Sequence, residues 1–503
     1  MRALLDTNIL IHREAATVVR PDIGTLFAWL DRLGIEKWIH PASVAEIAGH
    51  AEERVRRSFQ AKLASYRLIE APASLAPEVQ ALGTVMDVTE NDKRDTTILN
   101  EMYLGRVDVL ITEDRGLARK AARLGVADRL FTIDAFLEKV IAENPALVDY
   151  RVLSVRKVLF AHVNPGDTFF DSFRAEYPDF GRWFNRKSQE PAYVCLDGVR
   201  VAAFLYLKVE NQREPYHDIQ PVFTPKKRLK IGTLKVELNG FKLGERFLKI
   251  VFDNAIVQRV DEIYVTIFPH SIVQQRLIQL LEDFGFRRHG AKRNPYGTEL
   301  VYVRDMAPRF NGDEPCRTFP FVGRSARAFL VPIYPQYHTE LLPDSILKTE
   351  SPADFIEQEP HRNAIRKVYV SRSIFRDLRS GDTIVFYRTG GFYRSVVTTV
   401  GVVEGVHLNI ADEEQFIRLC RQRSVFSDES LRKQWRYRAS NQPFIVDFLY
   451  AYAFPKRPNM EALIQNGVIR DVDSAPRGFE RITTAQFETI IRLSETDKRI
   501  VVN

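Results

Sequence analysis

Through its first 145 residues the chain alternates short apolar runs with helical stretches, and this alternation constrains the fold more than any other feature. RALLDTNILI is an apolar strand. TLFAWLDRLG spaces its apolar residues as a helix does and stops at Gly34. WIHPASVAEIAGHAEERV passes from strand to helix, and RDTTILNEMYLGR is a helix ended near Gly105. VDVLITED is a second buried strand, followed by the basic helix RGLARKAARLGV and the strand-to-helix stretch RLFTIDAFLEKV. Strands alternating with helices predict a parallel sheet with right-handed crossovers.

Beyond residue 150 the pattern changes. PAYVCLDGVRVAAFLYLKVE reads as two strands about the turn Asp197-Gly198. LKIGTLKVEL, DEIYVTIFP and YGTELVYVRD are further strands, and GERFLKIVFDNAIVQRV and QQRLIQLLEDFGF are helices. This predicts a mixed α/β domain over 150–308. Residues 309–328 are rich in Gly, Pro and polar residues and read as a linker. From 329 to 503 short β-rich segments separated by turn residues predict a small barrel with added helices. Three domains also suit 503 residues, since one domain takes roughly 100–200.

The composition, 45% apolar and 27% charged, is that of an ordinary globular protein. No apolar run approaches the roughly 20 residues a membrane span needs. The opening MRALLDTNILIHRE lacks the form of a signal peptide, so the expectation is a cytoplasmic protein with no membrane partner. Cys195, Cys316 and Cys420 lie far apart and read as structural thiols rather than a zinc or disulfide framework. Residues 361–438 hold 15 Lys and Arg against 8 Asp and Glu, an excess equal to the +7 of the whole chain. Basic charge so concentrated favours a polyanion, through phosphate contacts and counterion release; the plainer reading is a solvated arginine-rich surface.

Four carboxylates carry chemistry in the first domain. Asp6 ends the first strand and Asp114 follows the second buried one, the rim where open α/β sheets gather functional groups. Glu46 and Asp95 lie near helix starts. Carboxylates sharing one rim repel each other, and a hard divalent cation such as Mg²⁺ or Mn²⁺ relieves that repulsion with oxygen ligands. A bound cation activates water and stabilises charge on a scissile phosphate. Each residue also has a plainer role. Ser43 and Glu46 fit a capping box, Asp95 suits a first helical turn, and Asp114 suits a helix cap.

LLDTN, SVAEI, RDTTIL and ITED together resemble the PIN domain family over about residues 1–140. The resemblance implies a metal-dependent endoribonuclease with Asp6, Glu46, Asp95 and Asp114 as its acidic site and Asp6, Asp95 and Asp114 as metal ligands. Thr7, Asn8 and Thr112 stand where such domains carry small polar residues that orient carboxylates or a water. Asp92 rivals Asp95, since both lie in NDKRD, and Arg115, Arg119 and Lys120 read as RNA contacts or a solvated helix face. The resemblance also implies homodimers and, for toxin-type members, a small antitoxin-like partner.

LKIGTLKVEL, NGFKLG and ERFLKIVF resemble the GNAT acetyltransferases over about residues 150–305. In that family a glycine-rich loop at a helix N-terminus cradles the acetyl-CoA pyrophosphate. The matching positions here are Asn239, Gly240, Lys242 and Gly244. Asn239 replaces the expected Arg or Gln, and Lys242 the first Gly. Glu237, on the preceding strand, matches an acetyl-transfer base by place. SGDTIVFYRTG resembles the PUA-like superfamily, with its ASCH and EVE groups, over about residues 329–490, implying a barrel that binds RNA or a modified nucleotide. Arg388, Phe392, Tyr393 and Arg394 near the Gly390-Gly391 turn, and Trp435 and Arg436 in WRYR, are its candidate RNA contacts.

The fold expected is thus multi-domain α/β: a PIN-like parallel-sheet domain over 1–145, a GNAT-like mixed α/β domain over 150–308 and a PUA-like β-barrel with added helices over 329–503. The function expected is an endoribonuclease with an auxiliary acetyl-CoA-binding domain and a basic RNA-binding domain. A second reading is an N-acetyltransferase acting on RNA or protein, with the PIN-like domain used for recognition. A third is a binding module without catalysis.

Overall fold

In the computed structural model, which describes all residues but 16–20, 144–154, 238–241, 346–363, 391–394 and 422, β1 (Arg2–Leu5) is the central strand of a five-stranded sheet. β2 (Glu36–Ile39) and β4 (Val109–Ile111) flank it, and β3 (Arg67–Leu68) and β5 (Leu130–Phe131) form the edges. Every pairing is parallel, as the alternation predicts. Leu4 packs with Ile98, Leu99 and Leu117 on one face, and Ala3 and Leu5 pack with Ile9, Phe27 and Leu137 on the other. Burial on both faces explains why these strands read as continuous apolar runs.

A second sheet holds β6 (Val155–Leu159), β7 (Pro191–Asp197), β8 (Arg200–Glu210), β9 (Ile219–Gln220), β10 (Arg228–Val236), β11 (Glu262–Ile267), β12 (Arg287–Asn294) and β13 (Gly297–Asp305), in the order β6-β7-β8-β10-β11-β13-β12-β9. Only β10 and β11 run parallel, and they pair over just Arg228 to Ile231. Beyond a bulge at Gly232, β10 continues against β8 alone, so β10 and β11 part. A Cβ on Gly232 would lie 2.6 Å from the Tyr206 ring, so only glycine fits that bulge.

The remaining strands are β14 (Val322–Gly323), β15 (Ala328–Ile333), β16 (Arg366–Ser371), β17 (Thr383–Arg388), β18 (Val396–His407), β19 (Phe444–Ala453), β20 (Glu480–Ile482) and β21 (Val501–Val502). β14 pairs with β21, and the other six form a mixed sheet in the order β16-β19-β18-β17-β15-β20. The expected barrel is not closed by hydrogen bonds among the described residues, because β16 and β20 remain edge strands. The sheet curls instead around Phe329, Phe386 and Phe448, and Phe479 from the β20 side meets Tyr369 of β16 and Phe444 of β19.

The reading of 309–328 as a linker is corrected. This stretch contains the short helix Pro315–Thr318 and β14, and it buries Cys316, Phe319, Phe321 and Val322. Phe319 packs on Phe252 and Phe284, and the buried Arg304 donates to its carbonyl at 2.9 Å. Its aromatic residues outweigh the glycines and prolines that suggested a free connector. The chain accordingly divides into two compact units, Met1–Asp149 and Tyr150–Glu237 with Phe241–Asn503. Within the second, charged groups fasten the helix Leu243–Val257 to the C-terminal sheet. Glu245 accepts the backbone N–H groups of Ile365 (2.8 Å) and Arg366 (3.2 Å), and Arg246 pairs with Asp344 at 2.7 Å. All three cysteines are buried and unpaired, as structural thiols.

Candidate functional site

Leu5 lies opposite Ile111, so the residues that follow β1 and β4 emerge side by side at the carboxyl end of the central strands. Asp6 donates its N–H to Ile111 O at 3.1 Å. Its Oδ1 accepts the Thr7 N–H at 2.7 Å, and its Oδ2 accepts the Thr112 hydroxyl. The Thr112 oxygen also accepts the Asp114 N–H at 2.9 Å, linking the two aspartates. Asp114 caps the helix Arg115–Arg123, with Oδ1 accepting the Leu117 N–H at 2.9 Å. A Cβ on Gly116 would fall 2.8 Å from that same Oδ1. Gly116→Ala is therefore expected to dislodge the cap, lowering the thermal midpoint by the equivalent of about 1 kcal/mol and shifting the Asp114 side-chain signals in NMR.

The helix Glu90–Tyr103 gives the two aspartates of NDKRD different surroundings. Thr89 is its N-cap and Asp92 closes a capping box, accepting the Thr89 N–H at 2.7 Å. Asp95 lies one turn further on and is free of that duty. For Glu46 the placement near a helix start is corrected. The helix Pro41–Ala48 is capped by His40, whose Nδ1 accepts the Ala42 N–H at 3.1 Å, and Glu46 sits in the last turn. Burial, with the charge of Arg106, lowers His40 to about 4, so the imidazole is neutral and serves as a cap. Sequence reasoning missed that role, because a histidine before proline is a rare capping signal.

Asp6 and Asp95 feel the charges of Glu46 and Asp114. Burial pushes Asp6 up to about 6; the charges of Asp114 and Glu46 add to the rise, against the bonds from Thr112 and Thr7. Asp95 is pushed up to about 7, by burial first and then by the charges of Asp6, Asp114 and Glu46, with Lys120 opposing. Burial and neighbouring like charges both disfavour the ionised form of a carboxyl group. Among the described residues, no three His, Cys, Asp or Glu side chains stand in a ready metal-binding arrangement. The oxygen-only donor set nonetheless suits a hard divalent ion, and Thr7 Oγ1 and Asn8 Oδ1 are buried beside Asp6 with no hydrogen-bond partner.

Lys120 is corrected as an RNA contact. It is 3% exposed, pairs with Asp87 at 2.7 Å, and donates to Asp92 O and Thr96 Oγ1. Removing one partner of a buried pair costs about 3–5 kcal/mol. Lys120→Ala is expected to destabilise the first unit by that amount in urea unfolding, whereas replacing the exposed Arg119 leaves it unchanged.

No family model matches the chain, and no curated protein does. Solved structures similar to parts of it include a mutant ZmASCH protein from Zymomonas mobilis (11% identity, 33% of this chain and 95% of that one, TM-score 0.24). Others are the VapBC2 complex of Rickettsia felis bound to a promoter DNA fragment (14%, 26% and 98%, TM-score 0.20) and a GNAT-family acetyltransferase from Streptococcus agalactiae (12%, 30% and 98%, TM-score 0.22). Each covers a third of the chain or less.

The other candidates have the following surroundings. Asn239 and Gly240, and Phe392, Tyr393 and Arg394, lie outside the described residues. Lys242 caps the helix Leu243–Val257 in a left-handed conformation, with its ammonium 3.4 Å from Glu245. A Cβ on Gly244 would come within 3.2 Å of Leu280. Glu237 is held by Lys235 at 2.7 Å. Arg388 ends β17 half-buried, near enough to His338 for its charge to assist burial in lowering that imidazole to about 3. Two expected RNA contacts have other work. Trp435, partly buried, packs on Phe416 at the edge of a core cluster, and Arg436 is bonded to Glu413 at 2.8 Å.

Proposed function

We propose that the first unit is a divalent-metal-dependent endoribonuclease whose acidic site is Asp6, Glu46, Asp95 and Asp114. The observation that carries this reading is the hydrogen-bonded link Asp6–Thr112–Asp114 at the carboxyl end of two adjacent parallel strands, where burial first and neighbouring carboxylates next raise Asp6 and Asp95. Mg²⁺ or Mn²⁺ is the cation proposed, held by Asp6, Asp95 and Asp114; when bound it supplies activation of water and stabilisation of phosphate charge. Asp6 is the best-anchored group, since its two oxygens are oriented by Thr7 and Thr112. Asp114 spends Oδ1 on its helix and keeps Oδ2 for the site. Glu46, in the last turn of the helix Pro41–Ala48, is the fourth carboxylate of the proposed site, and its charge reaches both Asp6 and Asp95.

The test is incubation of the full chain with total RNA, with and without Mn²⁺ or Mg²⁺, beside an Asp6→Asn/Asp114→Asn double variant. Discrete fragments from the wild type alone, lost in EDTA, are expected. Fragments that persist in EDTA or in the double variant remove the reading.

A second reading, acetyl-CoA binding by the unit that begins at Tyr150, is favoured by the parting of β10 from β11 ahead of the helix N-terminus at Leu243. Against it stand the engagement of Lys242 with Glu245 and of Glu237 with Lys235. Calorimetric titration with acetyl-CoA decides, with Gly244→Trp as the variant expected to lose any binding.

A further inference from the structure

Most arginines around the C-terminal sheet spend their charge on carboxylates. Arg327 is bonded to Asp377 and Asp382, Arg366 to Glu404, and Arg421 to Asp428. Among the described residues, Arg372, Arg376 and Arg438 are bonded to no carboxylate. Arg372 donates to the carbonyls of Gln434 and Asn441, and Arg376 to Asn441 Oδ1 at 2.7 Å and Gln442 O at 2.8 Å. These acceptors are neutral, so the positive charge stays uncompensated.

Between them stands Tyr437. It is 58% exposed and ends the helix Asp428–Arg436, with the guanidinium of Arg372 5.5 Å from its ring centre and that of Arg438 at 5.3 Å. Arg438 is held at φ 52°, a conformation that non-glycine residues seldom adopt. The Arg372 bond to Gln434 O ties the last turn of that helix in place beneath the ring. Ile374, on the loop between Arg372 and Arg376, is 96% exposed. Burial lowers Arg372, and the charges of Arg438 and Arg376 lower it further, against the pull of Tyr437. Like charges are thus held together, and among the described residues no carboxylate is bonded to any of the three.

We propose that Tyr437, with Arg372, Arg376 and Arg438, is a platform on which single-stranded RNA stacks a base and lays its phosphates. The inference rests on reading the chain as a protein that acts on RNA. An exposed ring offers a π-face that a paired base inside a duplex does not reach. The arginines around it supply phosphate contacts. An acidic peptide would use the charges and leave the ring without a role.

The experiment is fluorescence anisotropy of a labelled 12-nucleotide oligouridylate with the full chain in EDTA, where metal-dependent cleavage is silent. Tyr437→Ala is expected to weaken binding by about fivefold to a hundredfold, the range of one base–aromatic stack, and Tyr437→Phe to restore it. Arg438→Gln is expected to reduce the salt slope by about 0.7, the single-strand value for one phosphate. Lys433→Gln, which removes a charge already paired with Glu429 at 2.7 Å, is expected to bind as the wild type does. The platform is overturned by Tyr437→Ala binding like wild type, by duplex RNA competing as well as single strands, or by polyglutamate displacing the oligonucleotide at equal charge. Binding lost in Tyr437→Ala, together with no cleavage in any metal, leaves the platform standing and removes the nuclease reading. Cleavage that persists with unchanged binding does the reverse.

Discussion

On the proposed nuclease reading, replacing Asp95 by Asn is expected to cut metal-dependent RNA cleavage sharply and, in the same protein, to raise the thermal midpoint measured without metal. The two effects share one cause. In the wild type, burial and the charges of Asp6, Asp114 and Glu46 push the Asp95 carboxyl up to about 7. Its ionised form is therefore a cost to the metal-free fold at neutral pH and above. Asparagine keeps the shape and removes the charge. A full shift of this size is worth roughly 4 kcal/mol; because Asp95 is partly exposed, solvent screening cuts the gain to about 2 kcal/mol.

The sign follows from linkage. A carboxyl raised in the folded state favours folding while protonated, and that contribution is lost as pH rises from about 4 to about 7. The stabilisation by Asn is thus large at pH 8 and absent at pH 4. Activity moves the other way, falling roughly a thousandfold with the loss of a ligand from the metal site. Mn²⁺ raises the wild-type midpoint by binding the folded state, and this response shrinks in the variant. Differential scanning fluorimetry in EDTA at pH 8 and pH 4, repeated with Mn²⁺, checks all three. An unchanged or lower midpoint at pH 8 would remove the account of the site as a strained carboxylate cluster.

A stability effect as large as that of Lys120→Ala belongs to the second unit. Glu245→Ala is expected to destabilise it by about 3–5 kcal/mol, the cost of breaking a buried charge arrangement by deleting one member. The carboxylate satisfies the N–H groups of Ile365 and Arg366 and faces Lys242 at 3.4 Å. Burial by itself pushes this carboxyl up, but the charges of Lys242, Arg366 and Arg423 and the Arg366 N–H overcome it and hold it at about 2. A depressed carboxyl gives stability that is complete above its ordinary value of 4.5 and is lost as pH falls toward about 2. Urea midpoints followed from pH 5 to pH 3 should therefore decline more steeply in the wild type than in Glu245→Ala. Parallel declines would show that Glu245 contributes no proton-linked stability.

Particular residues show how far the sequence reaches. Apolar runs around Asp6 and ahead of Asp114 are local patterns, and a buried parallel strand writes itself into consecutive residues. That is why the sheet and the positions of both aspartates at its rim were legible. Asp92 rivals Asp95 in the sequence because each suits an early helical turn; the helix start at Thr89 gives Asp92 a capping bond that Asp95 does not make. Glu46 was placed a turn too early in its helix for a similar reason, since Ser43 imitates a cap that His40 provides.

In the C-terminal region WRYR announced an aromatic and basic cluster without saying which members are free. Trp435 packs, partly buried, against Phe416, and Arg436 finds Glu413, 23 residues away. The exposed ring is Tyr437, and its companion Arg372 lies on a distant strand end. Lys120 reads as one more exposed cation of a basic helix until Asp87 closes on it.

What the sequence determined by itself was therefore periodicity, and with it the sheets, the helices and the carboxylates at strand ends. Hydrophobic spacing acts over a few residues and needs no knowledge of the rest of the chain. Only the tertiary structure decided which charges are spent and which remain. An ion pair or a buried cap joins residues that are far apart in the chain, and whether a charge keeps its field depends on the partner and the burial that folding brings to it.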